Sequence, residues 1–176
     1  MPPARRESNP RPGTILQRGR AKAYRPLQPE RRAAILAEGL AAYHRGDFFL
    51  AHELLEPAWM GASDPGERDL YQGLIKLAAA FVHDTRGNPT GTEKNLRGAR
   101  LLVAGAVEAG PAAGIYVSAL VRRVDAALAA LASPAASAAD DARGALPAAI
   151  PIPSVAPTSD ATERRDDILK RWPEEP

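Results

Sequence analysis

The chain has 176 residues, enough for one domain of ordinary size plus tails, with 45% hydrophobic residues and only 5% aromatics. It contains no cysteine, which excludes disulfides, thiol catalysis and cysteine-ligated zinc or iron–sulfur sites. The formal net charge of +2 hides an asymmetry: residues 1–26 carry Arg5, Arg6, Arg11, Arg18, Arg20, Lys22 and Arg25 against Glu7 alone, and the rest of the chain is net acidic.

The opening stretch has no helical period and is broken by proline and glycine, so residues 1–27 are expected to form a basic disordered arm. Such an arm makes nucleic acid a candidate partner. Gln28-Pro29-Glu30 then opens a helix with proline at its first position and a carboxylate at the positive dipole end. Its apolar face is Ile35, Leu36, Leu40 and Tyr43, and Gly46 ends it. Asp47 caps a second helix, about Phe48 to Met60, with Pro57 inside it. Asp64-Pro65-Gly66-Glu67 is a capping-box analogue and starts a third helix, to about Arg86. Gly87 stops it, Asn88-Pro89 caps a fourth to about Ala109, and Gly110-Pro111 separates a fifth, about Ala112 to Leu131.

These elements predict an all-α fold, a compact bundle of about five helices built from antiparallel hairpins, over residues 28–132. Leu55 and Ala58 recur at the offset of Leu96 and Ala99, as two helix hairpins side by side would require. From Ser133 onward a Pro/Ala-rich linker is expected, with Ile150-Pro151-Ile152 able to dock in a groove. A short amphipathic helix around Ile168, Leu169 and Trp172 would follow. The longest apolar run, Leu74 to Val82, contains Lys76, so no membrane association is expected, and the default location is the cytoplasm.

Chemistry-bearing side chains concentrate in the second and third helices. His52 and Glu56 are four apart and Glu53 and Glu56 three apart, so each pair shares a face. In the third helix Asp69, Gln72, Lys76 and His83 form one polar stripe among Leu70, Leu74, Ile75, Leu77, Phe81 and Val82. The two stripes predict a buried cluster of His52, Glu53, Glu56, Trp59, Gln72, Lys76 and His83, in which a glutamate pairs with Lys76. This structural network is the first reading, and it implies no cofactor. A second reading makes His52, Glu56 and His83, with Glu53 as base, the divalent-metal site of a metal-dependent hydrolase. The spacing is neither that of the zinc-protease helix nor that of ferritin-type Glu-x-x-His helices, and the Lys76 ammonium opposes a cation. A third reading is an anion or small-molecule pocket lined by Lys76, His83 and Trp59.

The run Gly46-Asp47-Phe48-Phe49-Leu50-Ala51-His52-Glu53-Leu54-Leu55-Glu56, then Trp59, then Tyr71-Gln72-Gly73-Leu74-Ile75-Lys76-Leu77-Ala78-Ala79-Ala80, then His83 with Gly87-Asn88, resembles the bacterial and archaeal family called domain of unknown function 309. The resemblance covers roughly residues 36 to 105 and implies a small all-helical domain without an assigned activity. Such proteins commonly carry glutamine where this chain has Lys76. The function expected from all of this is a binding or scaffold role, with homo-oligomerisation and nucleic-acid contact through the arm as the candidate associations.

Overall fold

Helix starts follow the local chemistry of the chain. In the computed structural model, which describes residues 12–107, 115–132, 146 and 149–152, five helices form: α1 Pro29–His44, α2 Phe48–Gly61, α3 Pro65–Thr85, α4 Pro89–Val107 and α5 Val117–Leu131. The Asp47 side chain accepts from the Leu50 amide, Asp64 from the Glu67 amide at 2.7 Å and Asn88 from the Gly91 amide at 2.9 Å. Each satisfies one donor that a helix N-terminus leaves open. Proline at the start of α1, α3 and α4 costs nothing there, because its missing N–H would have had no intrahelical partner. Apart from the start of α5, at Val117 rather than about Ala112, these limits lie close to those expected from the sequence, and the all-α bundle of antiparallel hairpins is the fold found.

Helix α3 is the hub. It packs on α2 and α4, α1 covers α2, and α5 packs on α4. Leu55 and Ala58 of α2 and Leu96 and Ala99 of α4 are all buried, which accounts for their matched spacing. Close approach is bought with small residues: a Cβ at Gly73 would sit 2.6 Å from Val103 Cγ2, and one at Gly39 2.7 Å from Leu55 Cγ. At the far end of α3, Phe48 and Phe81 stack at 4.5 Å, and Tyr43 meets both rings edge-on.

One segment differs from expectation. Residues 14–23, read from the sequence as part of a disordered arm, form an antiparallel hairpin, β1 Thr14–Gln17 and β2 Arg20–Ala23. The turn residues Arg18 and Gly19 both have positive φ, 47° and 73°, as a two-residue hairpin turn demands. The chain then runs along the C-terminus of α2, whose last carbonyls need donors. The Arg25 and Leu27 amides supply them, to the Met60 carbonyl at 2.9 Å and the Gly61 carbonyl at 3.2 Å. In the stretch read as linker, the Ile150-Pro151-Ile152 piece does dock. Ile150 and Ile152 are buried, the Tyr43 hydroxyl donates to the Ile150 carbonyl at 3.0 Å, and Arg123 donates to the Pro151 carbonyl at 2.7 Å. Their docking is what the apolar Ile-Pro-Ile pattern gains from burial. The expected C-terminal helix around Trp172 and the arm before residue 12 lie outside the described residues.

Candidate functional site

Asp69, Lys76 and His83 of α3 are spaced by seven residues, two helical turns, so they lie on one face. Opposite them α4 presents glycines with the same spacing, in antiparallel order. A Cβ at Gly105 would stand 3.1 Å from Asp69 Oδ2, one at Gly98 2.7 Å from Lys76 Cδ and one at Gly91 2.6 Å from His83 Nδ1. Lys76 and His83 therefore lie against α4 over a glycine, and over Gly105 lies the Arg18 guanidinium that pairs with Asp69. The stripe read from the sequence exists: Lys76 and His83 lie against the glycines of α4, and Gln72 and Lys76 also line a cleft beside α2.

At the middle of this seam lies an open cleft of about 220 Å³. Helix α2 contributes His52, Glu56 and Trp59, α3 contributes Gln72, Ile75, Lys76 and Ala79, and α4 contributes Asn95. The structure thus brings together five residues of the expected cluster: His52, Glu56, Trp59, Gln72 and Lys76. It does not bring in the other two. Glu53 is exposed and its Oε1 lies 3.0 Å from His52 Nδ1. His83, two turns beyond Lys76, sits at the α3–α4 corner with Nδ1 3.1 Å from Asn88 Nδ2. The expected pairing of Glu53 or Glu56 with Lys76 is absent: Lys76 forms no ion pair among the described residues. His52, Glu56 and His83 are likewise not assembled, and among the described residues no three His, Cys, Asp or Glu side chains are grouped to hold a metal ion. The metal-dependent hydrolase reading has no support from this geometry.

The cleft is braced from behind by a residue that the sequence reading passed over. Gln17, at the end of β1, is buried with its amide fully engaged. Its Oε1 accepts from Trp59 Nε1 at 3.0 Å and from Arg68 Nε at 3.4 Å. Its Nε2 donates to Asp69 Oδ1 at 2.7 Å and to Gln72 Oε1 at 3.1 Å. Arg18, counted in the basic arm, is spent on Asp69 Oδ2 at 2.7 Å. Arg68 is 1% exposed and lies over the Trp59 ring, 5.3 Å from its centroid. Its guanidinium donates to the Trp59 and Ala62 carbonyls, each at 2.9 Å, and to the Ala23 carbonyl at 3.2 Å. A cation at the negative end of α2 is favourable, and it completes the capping begun by Arg25 and Leu27. Burial pushes Arg68 below the ordinary guanidinium value, against the opposing influence of Tyr24 and Asp69. The available signal for the hairpin was Thr14-Ile15-Leu16-Gln17 followed by Arg18-Gly19, a strand run and a two-residue turn ending in glycine.

A neighbouring network fixes α1 on α3. Arg32 makes a two-pronged ion pair with Glu67, at 2.8 Å and 2.9 Å, and donates to the Leu27 carbonyl. Glu67 raises Arg32 above its ordinary value, chiefly through that hydrogen bond. The Tyr71 hydroxyl donates to Glu67 Oε1 at 3.0 Å. This glutamate is thereby used up and does not serve the cleft.

Fold and site together define a small bundle of helix hairpins with a mixed-charge cleft on its central helix. Its central segment matches a known family: the model described as domain of unknown function (DUF309) covers residues 36–100, which shows the resemblance carried by the motifs of α2 and α3. A relative in Aquifex aeolicus (strain VF5), described as an uncharacterized protein, is 37% identical over 78 residues, 43% of this chain. The chain spans only 23% of that relative's length. No solved structure matches. No helix among the described residues is long and apolar enough to cross a membrane.

Proposed function

We propose that the bundle is a binding protein whose cleft over α3 takes a small polar molecule, with an anionic group of that molecule at the Lys76 ammonium. The observation that supports this is the state of Lys76. It is half-buried, lines the cleft and has no carboxylate partner among the described residues, while its stem lies across Gly98. A half-buried cation without a counter-ion is costly unless something else neutralises it. The side walls suit a small ligand, with Trp59 and Ile75 apolar and Gln72 and Asn95 polar.

The test is a titration of the ¹⁵N-labelled full chain with acetate, inorganic phosphate and citrate. Binding is expected to move the Trp59 indole and the Gln72 and Asn95 side-chain amide signals for at least one of these anions, and Lys76→Met is expected to abolish the shifts. Failure of all three anions to perturb those signals, or shifts unchanged in Lys76→Met, would reject this reading.

A further inference from the structure

We propose that the ligand of this cleft is a small zwitterion of the α-amino-acid type, its carboxylate held by Lys76 and Gln72 and its ammonium by Glu56 and Asn95. The inference rests on the binding role just proposed and narrows it to a chemical class.

Two amides of the cleft have their orientation imposed by neighbours that have no choice of role. The Trp59 indole N–H can only donate, so it fixes the Gln17 oxygen, to which Arg68 also donates. The Gln17 nitrogen must then donate, and it does so to Gln72 Oε1. Gln72 is left presenting N–H donors to the cleft. On the other wall the Gly91 carbonyl can only accept, so the Asn95 nitrogen donates to it at 2.9 Å. Asn95 is left presenting its oxygen. One amide thus offers donors and the other an acceptor.

The charged groups divide in the same way. Glu67 is paired with Arg32, Asp69 with Arg18, and Glu53 lies against His52. Among the residues lining the cleft, Glu56 and Lys76 remain, both half-buried and neither in an ion pair or a side-chain hydrogen bond among the described residues. A simple anion would pair with Lys76 but bring its charge near Glu56. A ligand carrying both charges pairs with each, through charge-assisted hydrogen bonds that are stronger than neutral ones. The cleft volume of about 220 Å³ equals that of roughly seven waters at ~30 Å³ each, room for a short amino acid. Ile75 and Ala79 supply an apolar floor for a small side chain.

The experiment uses the labelled full chain and a panel of glycine, L-alanine and L-valine, with N-acetyl-L-alanine, L-alaninamide and propionate as analogues missing one charge. At least one free amino acid is expected to shift the Trp59, Gln72 and Asn95 signals, and the one-charge analogues to bind at least tenfold more weakly. Glu56→Gln is expected to remove the discrimination against the N-acetyl compound, and Asn95→Ala to weaken the free amino acid severalfold. Asn95→Ala removes the acceptor together with the side-chain bond to the Gly91 carbonyl and leaves both charged groups in place, so it keeps the test meaningful should Glu56→Gln fold poorly. Equal affinity for propionate, N-acetyl-L-alanine and L-alanine would overturn the zwitterion while leaving an anion-binding cleft intact. Failure of every free amino acid to move the three signals would also overturn it, and the acetate, phosphate and citrate titration then decides the broader reading separately.

Discussion

Replacing Gln17 by alanine tests the claim that the hairpin holds the cleft in shape. The substitution removes four contacts at once, to Asp69, Gln72, Trp59 and Arg68. They are not equal losses. Arg68 keeps three backbone carbonyls and Asp69 keeps Arg18. Gln72 lines the cleft and can be rehydrated. The Trp59 N–H loses its acceptor, and stranding a donor of this kind costs about 1–3 kcal/mol. The hydrogen bond from Gln17 to the Asp69 carboxylate, being charge-assisted, adds about 1.5–3 kcal/mol. The expected loss is therefore about 3 kcal/mol, limited by the free energy with which the hairpin docks, since undocking without global unfolding caps the cost. Urea unfolding followed by helix ellipticity measures the global part. Hydrogen exchange of the amides of residues 16–20 and the Trp59 indole resonance measure the local part. Arg20→Gln, at an exposed position with no side-chain hydrogen bond or ion pair among the described residues, serves as the control and is expected to change stability by less than about 0.5 kcal/mol. A Gln17→Ala variant that matches that control, with the indole resonance unmoved and the hairpin amides equally protected, would refute this bracing role.

Gly73→Ala and Gly98→Ala should separate stability from binding. The first drives a methyl against Val103, including its backbone nitrogen at 3.2 Å, and is expected to cost about 1–3 kcal/mol in urea unfolding. The second meets only the Lys76 stem, so stability should change by less than about 1 kcal/mol while cleft binding weakens severalfold. In a double-mutant cycle, Glu53→Gln and Lys76→Met should be additive within about 0.5 kcal/mol, because Glu53 faces His52 and not Lys76; coupling well above that would contradict the structure. The phenols of Tyr43 and Tyr71 are pushed well above the ordinary tyrosine range, chiefly by burial. The native state holds these protons where the unfolded chain loses them, above pH about 10. Stability is therefore full below that pH and should fall as pH rises past it, by about 1.4 kcal/mol per pH unit for each tyrosine. Denaturation midpoints from pH 8 to 11 should show the decline, and Tyr43→Phe should make it shallower.

Much of the bundle was legible in the sequence because helix limits are local matters. Asp47, Asp64 and Asn88 act on amides three residues away, and a proline at a helix start acts on its own φ angle. The seven-residue spacing of Asp69, Lys76 and His83 could also be read directly, as could the membership of His52, Glu56, Trp59, Gln72 and Lys76 in one polar group. The matching glycines 91, 98 and 105 were equally visible, but their meaning depends on α4 running antiparallel to α3.

What the sequence determined by itself was therefore the helices and their faces, since those follow from interactions within a turn or two. Which face meets which was decided only in three dimensions. Lys76 could as well have met Glu53 by periodicity alone. It crosses α4 instead, because Gly98 leaves the space there. The hairpin is the plainest case. A ladder of four residue pairs is too little to stand alone, and it exists because α2 ends with carbonyls that Arg25, Leu27 and Arg68 can satisfy. Gln17 reaches Asp69 across 52 residues of sequence, and no local rule connects the two; only the packing of α2 against α3 makes the slot in which one amide can serve Trp59, Arg68, Asp69 and Gln72 together.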